Sequence, residues 1–96
     1  ENAVMTDRNL GKTIYLQLGN LYRDNLKQYE RANGYYQKYL ELNPMDGKGY
    51  AEAGMNYIQL KNYTAAEQNL KRAATLIPGS ALVNSYTELL NSSKPR

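Results

Sequence analysis

Residues 15–22 read Tyr-Leu-Gln-Leu-Gly-Asn-Leu-Tyr, and residues 50–57 read Tyr-Ala-Glu-Ala-Gly-Met-Asn-Tyr. Tyr15, Leu18, Gly19 and Tyr22 thus return as Tyr50, Ala53, Gly54 and Tyr57, 35 positions on. Further along, Tyr29, Ala32, Tyr36 and Pro44 return as Tyr63, Ala66, Leu70 and Pro78, 34 positions on. One extra residue therefore lies between Tyr22 and Tyr29, where a surface turn accepts an insertion that a helix interior does not. A period of this length marks a solenoid of repeated units rather than a single globular core.

The residue types make physical sense at these spacings. Leu18, Gly19 and Tyr22 share one helical face. A glycine inside a helix costs about 1 kcal/mol relative to alanine. Its use twice at one register predicts a neighbouring helix that approaches the backbone closely. Ala32 and Ala66, on the following helices, are the expected facing partners, so Gly19 should meet Ala32 and Gly54 should meet Ala66. Tyr22 and Tyr57 would fill the wider space one turn away. Pro44 and Pro78 end the second helix of each pair, because proline disfavours helix in the residue before it.

The order large aromatic, Leu-Gly, Tyr, Ala, aromatic, Pro resembles the tetratricopeptide repeat. Residues 37–44, Gln-Lys-Tyr-Leu-Glu-Leu-Asn-Pro, are similar to that family's usual repeat ending. The resemblance covers residues 12–80. Tyr15 and Tyr50 stand where the family often has Trp, Ala53 replaces Leu, and Leu70 replaces an aromatic. Tyr39 occupies a usual Ala position, which Ala73 keeps in the second copy, so Tyr39 must push outward or fill a gap. The resemblance implies an all-α fold, a right-handed α-solenoid of antiparallel helix pairs with about five helices. One domain over residues 1–96 would hold repeat one at about 12–46, repeat two at about 47–80 and a capping helix at about 81–92, with tails at 1–6 and 93–96.

Local signals place the elements. Asp7 is a candidate N-cap for a first helix over 8–25, on which Leu10, Ile14, Leu18, Leu21 and Tyr22 follow helical spacing. A turn at 25–28 precedes a second helix over 29–42, and Asp46 caps a third over 47–60. Thr64 with Glu67 forms a capping-box pattern opening a fourth helix over 63–76. Ser80 caps a fifth over 81–92, whose Leu82, Val83, Tyr86 and Leu89 form a face able to cover the fourth. Repeat arrays need such a terminal cap. Two repeats are fewer than the three an independent array usually needs. Self-association or a longer parent protein is therefore expected, and a chain opening on Glu1 reads as a fragment or processed form.

Composition removes whole classes of chemistry. With no His and no Cys in 96 residues, neither Ser-His-Asp nor Cys-His catalysis can be assembled. Disulfides and zinc sites with nitrogen or sulfur ligands are likewise excluded. Glu41 and Asp46 straddle a helix break rather than face each other across a cleft. The glycines at 47, 49 and 54 follow no strand and precede no lysine-serine ending, so they form no phosphate loop. The chain is therefore read as non-enzymatic and without a cofactor. No run of 18 apolar residues could span a membrane. The net charge is +3, but the twelve basic residues are scattered, with only Lys71-Arg72 adjacent. Nucleic-acid binding favours a clustered stripe, so no nucleic-acid partner is expected.

Ten tyrosines stand beside no Phe and no Trp. Tyr15, Tyr22, Tyr29, Tyr36, Tyr50, Tyr57 and Tyr63 occupy repeat-packing positions and should lie in the core. Tyr35, Tyr39 and Tyr86 fall off that register and are the candidates for exposed contacts.

The resemblance further implies that the first helices of successive repeats line a concave groove holding an extended or helical segment of a protein partner. Carried over position by position, the groove comprises Thr13, Leu16, Gln17, Asn20, Arg23 and Asp24 from the first repeat. The second repeat adds Lys48, Ala51, Glu52, Met55, Ile58 and Gln59, and the fifth helix adds Leu82, Ser85, Tyr86 and Leu89. Asn20 is placed to hold a ligand backbone. The family's clamp for chaperone C-terminal carboxylates is not expected here. Asn20 matches it, but Leu16, Glu52, Leu82 and Tyr86 stand at its other positions, and Glu52 would repel a carboxylate. The alternative to a peptide-binding module is a homo-oligomerising scaffold segment, whose faces pair with copies of themselves.

Overall fold

The structure, a computed structural model, describes residues 14–95. Five helices and no strand occur among these residues: α1 over residues 14–24, α2 Tyr29–Leu42, α3 Gly47–Gln59, α4 Tyr63–Leu76 and α5 Ala81–Ser93. Four of the predicted spans are reproduced to within a residue. The start of the first helix and its Asp7 cap fall outside the described residues.

The helix starts follow side-chain chemistry at Asp46, Asn62 and Ser80. Asp46 accepts hydrogen bonds from the backbone N–H groups of Lys48 and Gly49, and the Ser80 hydroxyl accepts from Val83 N–H. At α4 the expectation needs correction. Asn62, not Thr64, is the cap, accepting from Ala65 N–H. An Asx carbonyl one residue before the helix reaches the third amide directly, whereas Thr64 already lies within the first turn.

The two intra-pair turns show where the extra residue lies. Lys27 and Lys61, 34 positions apart, both adopt the left-handed region, with φ of 56° and 62°. The next residue, Gln28, donates its N–H back to the Tyr22 carbonyl, whereas Asn62 donates to the Tyr57 carbonyl. The first loop spans six residues and the second five. The insertion is thus confined to residues between Tyr22 and Lys27.

Two hydrophobic cores flank α3. The first gathers Ala32, Tyr36, Tyr39 and Leu40 of α2 with Ala53, and Tyr15, Leu16, Tyr22 and Tyr50 pack around it. The second joins Ala51 and Ile58 of α3 to Ala66, Leu70 and Ala73 of α4 and Val83 and Leu90 of α5. α3 thus buries residues on opposite sides, which places it at the centre of the stack. Burying one such Leu, Ile or Val is worth about 1.5–3 kcal/mol.

The close approaches at glycine occur, but with a different partner in the first pair. A Cβ on Gly19 would fall 2.6 Å from Cε1 of Tyr36 rather than against Ala32. On Gly54 it would fall 2.9 Å from Cγ of Leu70 and 3.4 Å from the Ala66 carbonyl oxygen. The residue one turn past each alanine, Tyr36 or Leu70, reaches back over the glycine because helical side chains lean toward the N-terminus. In both pairs the glycine makes room for a large side chain, and at Gly54 the expected approach of Ala66 is present as well.

Most of the repeat-register tyrosines pack on the two cores, and the revision falls on Tyr39. Tyr36 is fully buried, while Tyr15, Tyr22, Tyr29, Tyr50, Tyr57 and Tyr63 are only half-buried. Tyr39, expected among the exposed contacts, is buried. Its ring covers Gly49, and its hydroxyl hydrogen-bonds the Asp46 carboxylate. Tyr35 is half-buried, its ring stacked on Tyr22 at 5.3 Å and on Tyr15 at 6.4 Å.

Candidate functional site

The repeat register arranges the groove-side residues of α1, α3 and α5 in rows. Gln17, Glu52 and Tyr86 form one row, Asn20, Met55 and Leu89 the next, and Arg23, Ile58 and Ser92 a third. A buried polar network crosses the first and last of these. The Arg23 guanidinium donates from Nη1 to Glu52 Oε1 at 2.7 Å and to the Glu52 carbonyl at 3.2 Å. Its Nε and Nη2 grip both carboxylate oxygens of Asp24, at 2.7 and 2.8 Å. The Tyr86 hydroxyl donates to the same Glu52 Oε1 at 3.1 Å. One carboxylate therefore ties α1 to α5 through α3.

Two further contacts extend the network. The buried Tyr36 hydroxyl donates to Asn20 Oδ1 at 2.6 Å, and the Arg23 guanidinium lies 6.0 Å from the centre of the Tyr36 ring. The arginine and glutamate side chains are only 6% and 8% exposed, so their charges have left water together. Such a pair is worth keeping only if its remaining hydrogen-bonding capacity is satisfied, and here Asp24, Tyr86 and the Glu52 carbonyl supply the partners.

Titration behaviour follows this geometry. Burial alone would lower the Arg23 pKa, but the hydrogen bonds to Asp24 and Glu52 overcome it and hold the cation more firmly than in water. The Asp24 carboxylate is held below its usual value, chiefly by its hydrogen bonds to Arg23. Burial pushes the Tyr36 and Tyr86 phenols up, and the nearby Glu52 charge adds to the shift.

Several residues assigned to partner contact are thus committed within the protein. Arg23 and Glu52 are buried in the network, and Ala51 and Ile58 are buried in the second core. Ala51, with 0% exposure, offers a partner nothing. Asn20 has its carbonyl oxygen occupied by Tyr36, which leaves its amide hydrogens. Gln17, Asp24 and Lys48 are exposed, and Leu16, Asn20, Met55, Gln59 and Tyr86 are half-buried. On α5, Ser85 and Leu89 are exposed and Leu82 is half-buried. Thr13 lies outside the described residues.

A family model for the tetratricopeptide repeat matches residues 13–45 and again residues 47–80, well over half of the chain. The chain belongs to the tetratricopeptide-repeat family. Its two repeats correspond to α1 with α2 and α3 with α4. Tetratricopeptide repeats serve in general as protein-interaction modules and are typically non-catalytic. No helix among the described residues is long and apolar enough to cross a membrane.

The sequence reading missed Asn56. This residue is fully buried, and its Nδ2 donates to the Tyr29 carbonyl at 2.8 Å. A signal was available: Asn56 shares its register with Leu21 and Leu90, so a polar side chain stands where the neighbouring helices are apolar. The bond adds a second donor to a carbonyl in the first turn of α2, tying the first repeat to the second.

Proposed function

We propose that the chain is a non-catalytic module that holds an extended or helical segment of a protein partner in the groove of α1, α3 and α5. The observation that carries this reading is the Arg23–Glu52–Tyr86 network. It fixes the three helices to one another without a ligand, so a partner alone loses conformational freedom on binding. Asn20, Met55 and Leu89 form the row beside the buried charges. Apolar partner side chains would rest on Met55 and Leu89, and the Asn20 amide would hold a backbone carbonyl. Gln17, Lys48, Gln59 and Asp24 supply a polar rim. The reading also takes α5 as a capping helix: Asn84, Thr87, Glu88 and Asn91 stand at the positions where α3 places Tyr50, Ala53, Gly54 and Tyr57, and polar side chains there suit contact with water.

The test is capture of a partner from the native source with crosslinking, followed by calorimetry on the purified pair. Met55→Glu and Leu89→Glu should each weaken binding at least roughly tenfold. Unchanged affinity in both variants would refute the groove.

A further inference from the structure

We propose that the groove selects a protein segment carrying a lysine, whose ammonium is received by Oε2 of Glu52. This inference rests on the groove reading above and names the partner chemistry that the reading leaves open. The two oxygens of the Glu52 carboxylate are in different situations. Oε1 accepts from both Arg23 Nη1 and the Tyr86 hydroxyl. Oε2 accepts no hydrogen bond among the described residues, although the side chain is only 8% exposed. It is not sealed from solvent either, because the one fully buried side-chain atom without a partner among these residues is Asn56 Oδ1. Oε2 is therefore open on the floor of the groove, in the row of Gln17 and Tyr86 and beside Asn20, Met55 and Leu89.

Charge calls for a cation at this oxygen. Arg23 holds two carboxylates, Glu52 and Asp24, so the three groups together keep a net negative charge. Asp24 is 54% exposed and feels the charge of Lys27, and water serves it as well. Glu52 has lost most of its water and has no second cation. Lys48, one turn earlier on α3, is exposed and forms no ion pair with it. A desolvated carboxylate gains more from an ionised donor than from a neutral one, and it repels an acidic segment.

Lysine fits the vacancy better than arginine. The planar arginine fork is matched to two acceptor oxygens, and Oε1 already has two donors. An ammonium is a compact charge on an apolar stem and needs only one carboxylate oxygen. The stem can lie along half-buried Met55 and exposed Leu89 while the charged head reaches Oε2. Its remaining hydrogens have two acceptors in the same row, the Tyr86 hydroxyl oxygen and the Gln17 side-chain carbonyl.

A displayed library of random peptides panned against the 96-residue chain tests this. Affinities are then measured on selected peptides synthesised with acetylated N-termini, so that the only ammonium is a lysine side chain. The expected result is a lysine shared by the selected sequences. Replacing it with methionine should lower affinity about tenfold or more, the loss of one charge-assisted hydrogen bond. Replacing it with arginine should also weaken binding. On the protein, Glu52→Gln should abolish the preference for lysine over methionine, with circular dichroism showing that the variant stays helical. The peptide exchanges use the unaltered chain and decide the matter even if Glu52→Gln does not fold. Peptides that are lost on Met55→Glu, yet share no lysine or accept methionine in its place, would overturn the inference and leave the groove standing. Peptides indifferent to Met55→Glu, or a library that yields none, would overturn the groove and the inference together.

Discussion

The seam between α2 and α3 and the seam between α4 and α5 occupy the same register and are packed with the sizes reversed. In the first, the large residues Tyr39 and Leu40 of α2 cover Gly49 of α3, whose Cβ would fall 2.7 Å from Tyr39 Cε2 and 3.0 Å from Leu40 Cδ2. In the second, the residues 34 positions on are Ala73 and Ala74, and α5 answers with Val83 and Leu90. Bulk has moved from one side of the seam to the other. Protein interiors pack near crystal density, so the sum across the seam is constrained while its division is not. A Tyr at a position where the family usually has Ala is thus accommodated by a glycine on the next helix.

The seams differ also in their polar ties. Across the first, Asn56 Nδ2 donates to the Tyr29 carbonyl at 2.8 Å and Gln37 Nε2 to the Tyr57 hydroxyl at 3.3 Å, whereas across the second Lys94 pairs with Glu67 at 3.7 Å. The buried Arg23–Glu52 pair ties α1 to α3 beside the first seam, and Arg23→Met should have the largest effect, lowering stability by about 3 kcal/mol because Glu52 is left as an unpaired buried charge. Chemical denaturation measures this. Arg23→Met with Glu52→Leu should be closer to wild type than Arg23→Met alone.

A smaller effect is expected within the first pair. Gly19→Ala should destabilise by about 2 kcal/mol, since the added methyl meets a Tyr36 ring with no room to move. Gly34→Ala, at a site where a Cβ meets nothing within 4 Å, should instead stabilise by about 0.8 kcal/mol through helix propensity. Thermal melts that shift both glycine variants in the same direction would contradict a crossing in which Tyr36 fills the space above Gly19.

The helix starts distinguish the repeats more weakly. Asn62→Ala should cost about 1 kcal/mol through loss of its cap. Gln28→Ala should change little, because Gln28 makes no side-chain cap bond.

The smallest effects are on pH dependence. Burial, with the hydrogen bond to Asp46, pushes the Tyr39 phenol up to about 12, above the value near 10 of an unfolded chain. The fold prefers the neutral phenol, so its contribution is complete below about pH 10 and is lost as pH rises toward 12. Tyr39→Phe should flatten that loss in an alkaline titration. Asp24 has the opposite sign. Its folded pKa is depressed below the ordinary carboxylate value of 3.8, so its contribution is present above that pH and is lost as the solution is acidified below it.

The pattern of Tyr, Gly, Ala and Pro was enough to locate helices and turns, because helical period and breaker residues are local properties. Which side chain meets which glycine was not readable at that level. Both Ala32 and Tyr36 lie on the face of α2 that packs on α1, and only the lean of the side chain decides between them. The groove was only partly legible for a related reason. Carry-over from the family placed Arg23, Ala51, Glu52 and Ile58 on the groove, where all four are buried, because α3 is covered on both flanks and its buried arc is wider than a surface helix would have. The opposite charges of Arg23 and Glu52, 29 residues apart, become a pair only when two repeats are stacked. Their distance in sequence gives no sign of it.

The most direct test of the exchanged seams is a double-mutant cycle on Tyr39→Ala and Gly49→Val, which rebuilds the first seam in the manner of the second. Each single change should destabilise, the first by leaving a cavity and the second by overpacking. Together they should be less damaging than their sum by about 1–3 kcal/mol, the coupling expected of residues in contact. Strict additivity would mean that Tyr39 and Gly49 do not share one space, and the exchange of bulk across the two seams would be refuted.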